Sequence, residues 1–159
     1  MTTVTRRLEF DYGHRVLGHS GKCRHLHGHR ATVEVMVKAG LDRLGMVVDF
    51  AVIKQRLGGW IDEFLDHNLI LHPADPLVKL LLNMTPEQVA DPDGIFGGKV
   101  PFFLGPIDNP SDDGRHNPTA ENLARMIYDV ASNLLPTFKI VSVTFYETPN
   151  CSATYTGGD

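Results

Sequence analysis

The sequence is short of several things, and each shortage narrows what the chain can be. It holds two cysteines, Cys23 and Cys151, too few for the disulfide framework of a small secreted scaffold. No uninterrupted apolar run approaches the roughly 18 residues that read as a membrane span. The first ten residues carry no apolar stretch of the kind that directs export, so the expected compartment is the cytoplasm. Neither sign of charge dominates: 15 Lys and Arg stand against 19 Asp and Glu. That balance argues against a broad nucleic-acid surface, while a few local cations still suffice for a small phosphate-bearing ligand. Internal repeats and low-complexity segments are also missing. With 159 residues the chain is long enough for one domain and too short for two, and 42% hydrophobic residues give it material for a core.

Histidine, in contrast, is concentrated. Of eight histidines, four fall between His19 and His29, and His14 lies just upstream. Around them the pattern alternates with period two. From Val4 to Arg15, Leu8, Phe10, Tyr12 and His14 share one face of a predicted strand, with Arg7, Glu9 and Asp11 opposite. A second strand is predicted from about Leu26 to Lys38, with His27, His29, Ala31, Val33, Val35 and Val37 on one face. Asp49 is suited to cap a helix from Phe50 to about Asp66, with an irregular turn expected at Gly58-Gly59. Thr119 is suited to cap another, running to about Leu134 before Pro136. Strands are predicted at Phe138 to Glu147 and Cys151 to Thr156. The order ββααββ predicts an α+β domain, a four-stranded antiparallel sheet with two helices on one face. The stretch at about 72–117 is rich in Pro, Gly and Asp. Its one predicted helix follows the capping box Thr85-Pro86-Glu87-Gln88, and the rest is expected to be ordered loop.

His27 and His29 are two residues apart on a strand, so both imidazoles leave the same face, and a hairpin sets His14 alongside. Three neutral imidazoles suit Zn²⁺, and three protein ligands leave one position open, as in catalytic sites. Gly28 removes a side chain where the backbone is crowded. A second reading makes Cys23 the fourth ligand of a purely structural site. His19 and His25 read as solvated or supporting residues. Cys23 itself lies between Lys22 and Arg24; positive neighbours stabilise a thiolate, so it is either a base or nucleophile or an ordinary free thiol. Asp66-His67 closes the first long helix, where an imidazole can hold a proton ready for transfer or merely complement the helix end. Glu147 ends the predicted apolar stripe Val141, Val143, Phe145. It is either a buried carboxylate that takes paired N–H donors from a planar ligand or a strand-end residue turned to solvent.

Together these residues resemble the 6-pyruvoyltetrahydropterin synthase family. The matching pieces are Phe10-Asp11-Tyr12-Gly13-His14, Cys23-Arg24-His25-Leu26-His27-Gly28-His29, Gly45-Met46-Val47-Val48-Asp49-Phe50, Leu65-Asp66-His67-Asn68, Pro118-Thr119-Ala120-Glu121-Asn122 and Tyr146-Glu147-Thr148. The resemblance implies a T-fold, in which subunits join their sheets into a barrel and stack as a homo-hexamer with active sites between subunits. It implies Zn²⁺ on His14, His27 and His29, with Cys23 as catalytic base beside Asp66 and His67. It also implies Glu147 anchoring a pterin, with Glu121 and Thr119 near the same pocket. The family substrate is 7,8-dihydroneopterin triphosphate. Three residues between Cys23 and His27 resemble the bacterial 6-carboxytetrahydropterin synthases of the queuosine (7-deazaguanine) route, which release acetaldehyde. The alternatives are the pyruvoyl-forming reaction and a non-catalytic zinc-stabilised subunit. The segment at about 72–117 exceeds the family pattern and reads as an insertion into a single domain.

Overall fold

A computed structural model describes residues 2–107 and 114–158. The central hairpin is β1 (Thr2–His14) against β2 (His27–Ala39), paired antiparallel along its whole length. Period-two alternation decides its orientation. Leu8, Phe10 and Tyr12 are buried with Ala31, Val33, Val35 and Val37, while Arg7, Glu9 and Arg30 are exposed. On the exposed face Arg7 pairs with Glu34, and Arg30 with Asp11 at 3.1 Å. β5 (Lys139–Thr148) adds antiparallel to β2, and β6 (Cys151–Tyr155) adds to β5.

Helical segments cover the buried face. Asp49 caps α1 (Phe50–Ile53) by accepting the Ala51 N–H at 2.8 Å. The chain continues through a π-helical turn, Lys54–Gly58, into α2 (Gly59–Phe64). The irregularity expected at the glycine pair is this turn, and buried Gly58 lies over Leu8 of β1. Thr119 caps α5 (Ala120–Leu134). Ile53, Leu57, Ile61, Leu123 and Ile127 complete one core with the sheet residues. This is the expected α+β arrangement, a sheet with helices on one face.

Three details differ from the sequence reading. The sheet has six strands, in the order β4-β3-β1-β2-β5-β6, and is mixed. The four expected strands are antiparallel, but β3 (Asn68–Leu71) runs parallel to β1, and β4 (Phe102–Phe103) parallel to β3. These two are four and two residues long, too short to show alternation. Second, the stretch expected to be mostly loop carries α3 (Pro76–Leu82), capped by Asp75, as well as the expected α4 (Pro86–Ala90) on its Thr85 capping box. That stretch also includes 108–113, which lie outside the described residues. Third, a bulge in the β2–β5 pairing brings Ile140 rather than Val141 to the buried face.

Candidate metal centre

At its far end the buried face of the hairpin changes from hydrocarbon to imidazole. The pairing sets His14 opposite His27, Gly13 opposite Gly28 and Tyr12 opposite His29. The three rings sit with centroids 4.6 to 5.2 Å apart, and one ligand nitrogen from each lies within 4.8 Å of the others. Glycine is required between the two β2 histidines, because a Cβ on Gly28 would stand 2.9 Å from the Tyr12 carbonyl oxygen.

Two of the rings have their proton assigned by the backbone. His14 Nδ1 lies 2.7 Å from the Pro118 carbonyl oxygen, and His27 Nδ1 lies 2.7 Å from that of His25. A carbonyl only accepts, so Nδ1 carries the hydrogen in both and Nε2 is left with its lone pair. Burial pushes the His14 and His29 imidazoles below their ordinary 6.5, favouring the neutral ligand form. Among the described residues, Nε2 of His14 and Nε2 of His29 are buried without hydrogen-bond partners. Glu147 comes to meet them, its Oε1 3.3 Å from His14 Nε2 and 3.7 Å from His29 Nε2. The carboxylate is therefore turned onto the imidazoles rather than to solvent, as the blander sequence reading had it. Burial first, and then the Glu147 charge, hold the nearby Tyr12 phenol protonated well above its ordinary range. Lone pairs facing a carboxylate repel, and orphaned buried acceptors cost about 1–3 kcal/mol each. A cation on the three nitrogens removes both penalties, so the residues fit a metal.

The remaining predicted residues are distributed as follows. Cys23 is half-buried in a 3₁₀ turn, Lys22–Arg24, and its carbonyl accepts the Val16 N–H at 2.8 Å, which draws the turn towards the end of β1. Among the described residues its Sγ does not join the nitrogen cluster, which weighs against a fourth-ligand role. Asp66 and His67 lie in the turn after α2, not in the helix. Asp66 Oδ2 is 2.7 Å from His67 Nδ1, and Oδ1 accepts the Asp11 N–H at 2.9 Å. Burial pushes the Asp66 carboxyl up, but the Asp11 N–H, His67 and Lys99 outweigh it and leave it below 3.8. Asp66 and His67 both bond the backbone of Asp11, beside the edge of β1 that β3 joins, and among the described residues they do not join the imidazole cluster. Thr119 Oγ1 accepts the Asn122 N–H, and Glu121 is exposed in the first turn of α5. The cap puts Pro118, one residue away, against His14.

Several supports carried no readable signal. The carbonyls of His25 and Pro118 are backbone groups. Asn117 holds Leu17 through both its amide ends, at 2.8 and 3.1 Å, tying the loop after His14 to the start of α5. Arg15 grips buried Asp75 in a two-point ion pair. An Asp-Pro helix start was the available clue to the last.

With this geometry in place, comparison with known proteins defines the class. The sequence model of the 6-pyruvoyl tetrahydropterin synthase family matches residues 3–158, and the chain belongs to that family. It is 37% identical over 155 residues to a 6-carboxy-5,6,7,8-tetrahydropterin synthase of Rickettsia bellii, covering 95% of this chain and 97% of the relative. It is 38% identical to the protein of the same name from Rickettsia conorii, with the same coverage. Among solved structures, a protein of Wolinella succinogenes aligns with TM-score 0.75 and 26% identity, over 99% of this chain and 98% of that one. The 6-pyruvoyl tetrahydropterin synthase of Caenorhabditis elegans aligns at 0.63 with 22% identity, over 99% and 96%, and shows the fold. Among the described residues no helix is long and apolar enough to cross a membrane.

Proposed function

We propose that this protein converts 7,8-dihydroneopterin triphosphate and water to 6-carboxy-5,6,7,8-tetrahydropterin, releasing acetaldehyde and triphosphate, as a cytoplasmic zinc-dependent lyase of the queuosine route. The observation that carries the reading is the trio of imidazoles His14, His27 and His29, two of which, His14 and His29, turn buried Nε2 atoms without hydrogen-bond partners among the described residues towards the Glu147 carboxylate. The names of the 36–38% identical relatives supply the substrate class.

His14, His27 and His29 would hold Zn²⁺, which when bound supplies a Lewis acid that polarises the oxygens of the substrate side chain. Cys23, on its turn beside the end of β1, removes a proton from the substrate. Asp66 keeps the hydrogen of His67 on Nδ1, so Nε2 is the atom that exchanges a proton with the reactant. His67's side chain is 74% exposed, open to a substrate held by another subunit. Glu147 accepts the paired N–H donors of the pterin ring, with Thr119 and Glu121 near the same pocket. A homo-hexamer built from joined sheets is consistent with β1, which among the described residues pairs from Thr2 to Phe10 on one side only, with β2. An open edge of that length calls for a partner.

The test is incubation of zinc-loaded protein with 7,8-dihydroneopterin triphosphate, measuring acetaldehyde and the pterin product. Acetaldehyde equimolar with 6-carboxytetrahydropterin is expected. Pterin product without acetaldehyde would instead assign the pyruvoyl-forming reaction, and no pterin product at all would refute the reading.

A further inference from the structure

The segment 95–100 docks beside the Asp66–His67 turn. A cavity of about 320 Å³ there is lined by Asp11, Tyr12, His67, Phe96 and Lys99, among others. A helix ends with carbonyls that have no partner within the helix, and the end of α2 finds its partners in an unusual way. The Ile61 carbonyl takes the Leu65 and Asp66 N–H groups, each at 2.8 Å. Phe64's accepts Asn68 Nδ2 at 2.9 Å, and the same amide reaches the Val100 carbonyl at 2.9 Å. The Asp62 carbonyl accepts Lys99 Nζ at 3.0 Å, and so does the carbonyl of Asp66. One ammonium thus bridges the last turn of α2 and the residue that holds His67.

What it holds needs holding. His67 has φ of 51°, a left-handed conformation that side chains other than glycine rarely adopt unless their surroundings impose it. Its N–H is tied to the Asp11 carbonyl at 2.6 Å and its ring to Asp66. Asp66 is itself fixed at its carboxylate by Asp11 and at its carbonyl by Lys99. A displacement of Asp66 moves the acceptor that decides which nitrogen of His67 carries hydrogen. We propose that Lys99 is a positioning residue for the Asp66–His67 pair, clamping the turn so that Asp66 holds the His67 hydrogen on Nδ1. This rests on the proton-transfer role given to His67 above.

The test uses full-length zinc-loaded protein and two readouts: His67 ring-nitrogen resonances, recorded above the ordinary imidazole titration range, and steady-state kinetics. In Lys99→Met the Nδ1-protonated form of His67 gives way to a mixture of tautomers. Turnover, kcat, falls by about 10- to 100-fold while KM stays within about threefold, because positioning rather than binding is lost. Lys99→Arg, which keeps several N–H donors, restores both. Lys99→Gln replaces the methionine variant should that protein fail to fold. An unchanged tautomer without the ammonium, or a changed tautomer with wild-type kcat, overturns the assignment. Wild-type protein that fails to turn over the triphosphate refutes the functional reading instead, and the tautomer measurement still decides the clamp.

Discussion

Gly28 stands against backbone that cannot yield, and Gly28→Ala tests how much that close approach matters. The added methyl carbon meets the Tyr12 carbonyl oxygen at 2.9 Å, whereas ordinary contact begins at 3.4 Å, so the hairpin must open there by about half an ångström. The neighbour is backbone in a fully paired ladder and cannot swing aside. Overpacking of this kind costs about 2 kcal/mol, which for a domain of this size lowers Tm by about 4–8 °C. The same displacement moves His27 and His29 away from His14, and ligand distances tolerate about 0.2 Å. Metal affinity should therefore fall roughly 10- to 100-fold, the usual effect of disturbing the groups that orient ligands. Differential scanning calorimetry of the metal-free protein and competitive zinc titration measure the two effects separately. A variant with wild-type Tm and wild-type zinc affinity would refute the argument that close strand approach at Gly28 builds the site.

Three further outcomes follow from other parts of the molecule. Cys23→Ala should keep its full zinc content while acetaldehyde formation falls by about 100-fold or more; loss of zinc and thermal stability together would make the sulfur a ligand. Asp75→Asn should cost about 3 kcal/mol in urea denaturation, since it strands Arg15 beside a buried site, and the double variant with Arg15→Met should cost less than the single one. Despite its burial, the folded Asp66 carboxyl is held below its ordinary 3.8 by the Asp11 N–H, His67 and Lys99 together, so the unfolded chain binds more protons as pH falls through that value. Its contribution to stability is complete above pH 3.8 and is lost as pH falls through the folded pKa. Asp66→Asn should accordingly flatten the fall in urea midpoint as pH drops below 3.8.

The hairpin that carries the site was legible because a half-buried strand writes its orientation into every second residue. The run Leu8, Phe10, Tyr12, His14 continues one face without a break, and His27 and His29 continue the face of Val33 and Val35. Strands β3 and β4 were not legible, because at such lengths pairing depends on what lies alongside rather than on pattern. Asp75-Pro76 begins a helix by the same chemistry as Thr85-Pro86, but the run after it, apolar at every position except Lys79, hides the helical period. The bulge at Val141 arises from the pairing with β2, and only the paired ladder reveals it. Within the site, the three rings could be grouped from spacing alone. The direction Glu147 takes and the tie from Lys99 to Asp66 both depend on long-range packing that leaves no local mark.

The hydrogen-bond acceptors behind His14 and His27 are peptide oxygens, those of Pro118 and His25, where many metalloproteins use carboxylates. No side-chain substitution can delete a peptide oxygen. Evolution can therefore retune the electron density on these two imidazoles only by bending the chain that carries them. Under the proposed metal assignment, metal preference is inherited from loop shape, and the segments around His25 and Pro118 should resist insertion and deletion even where their side chains vary freely.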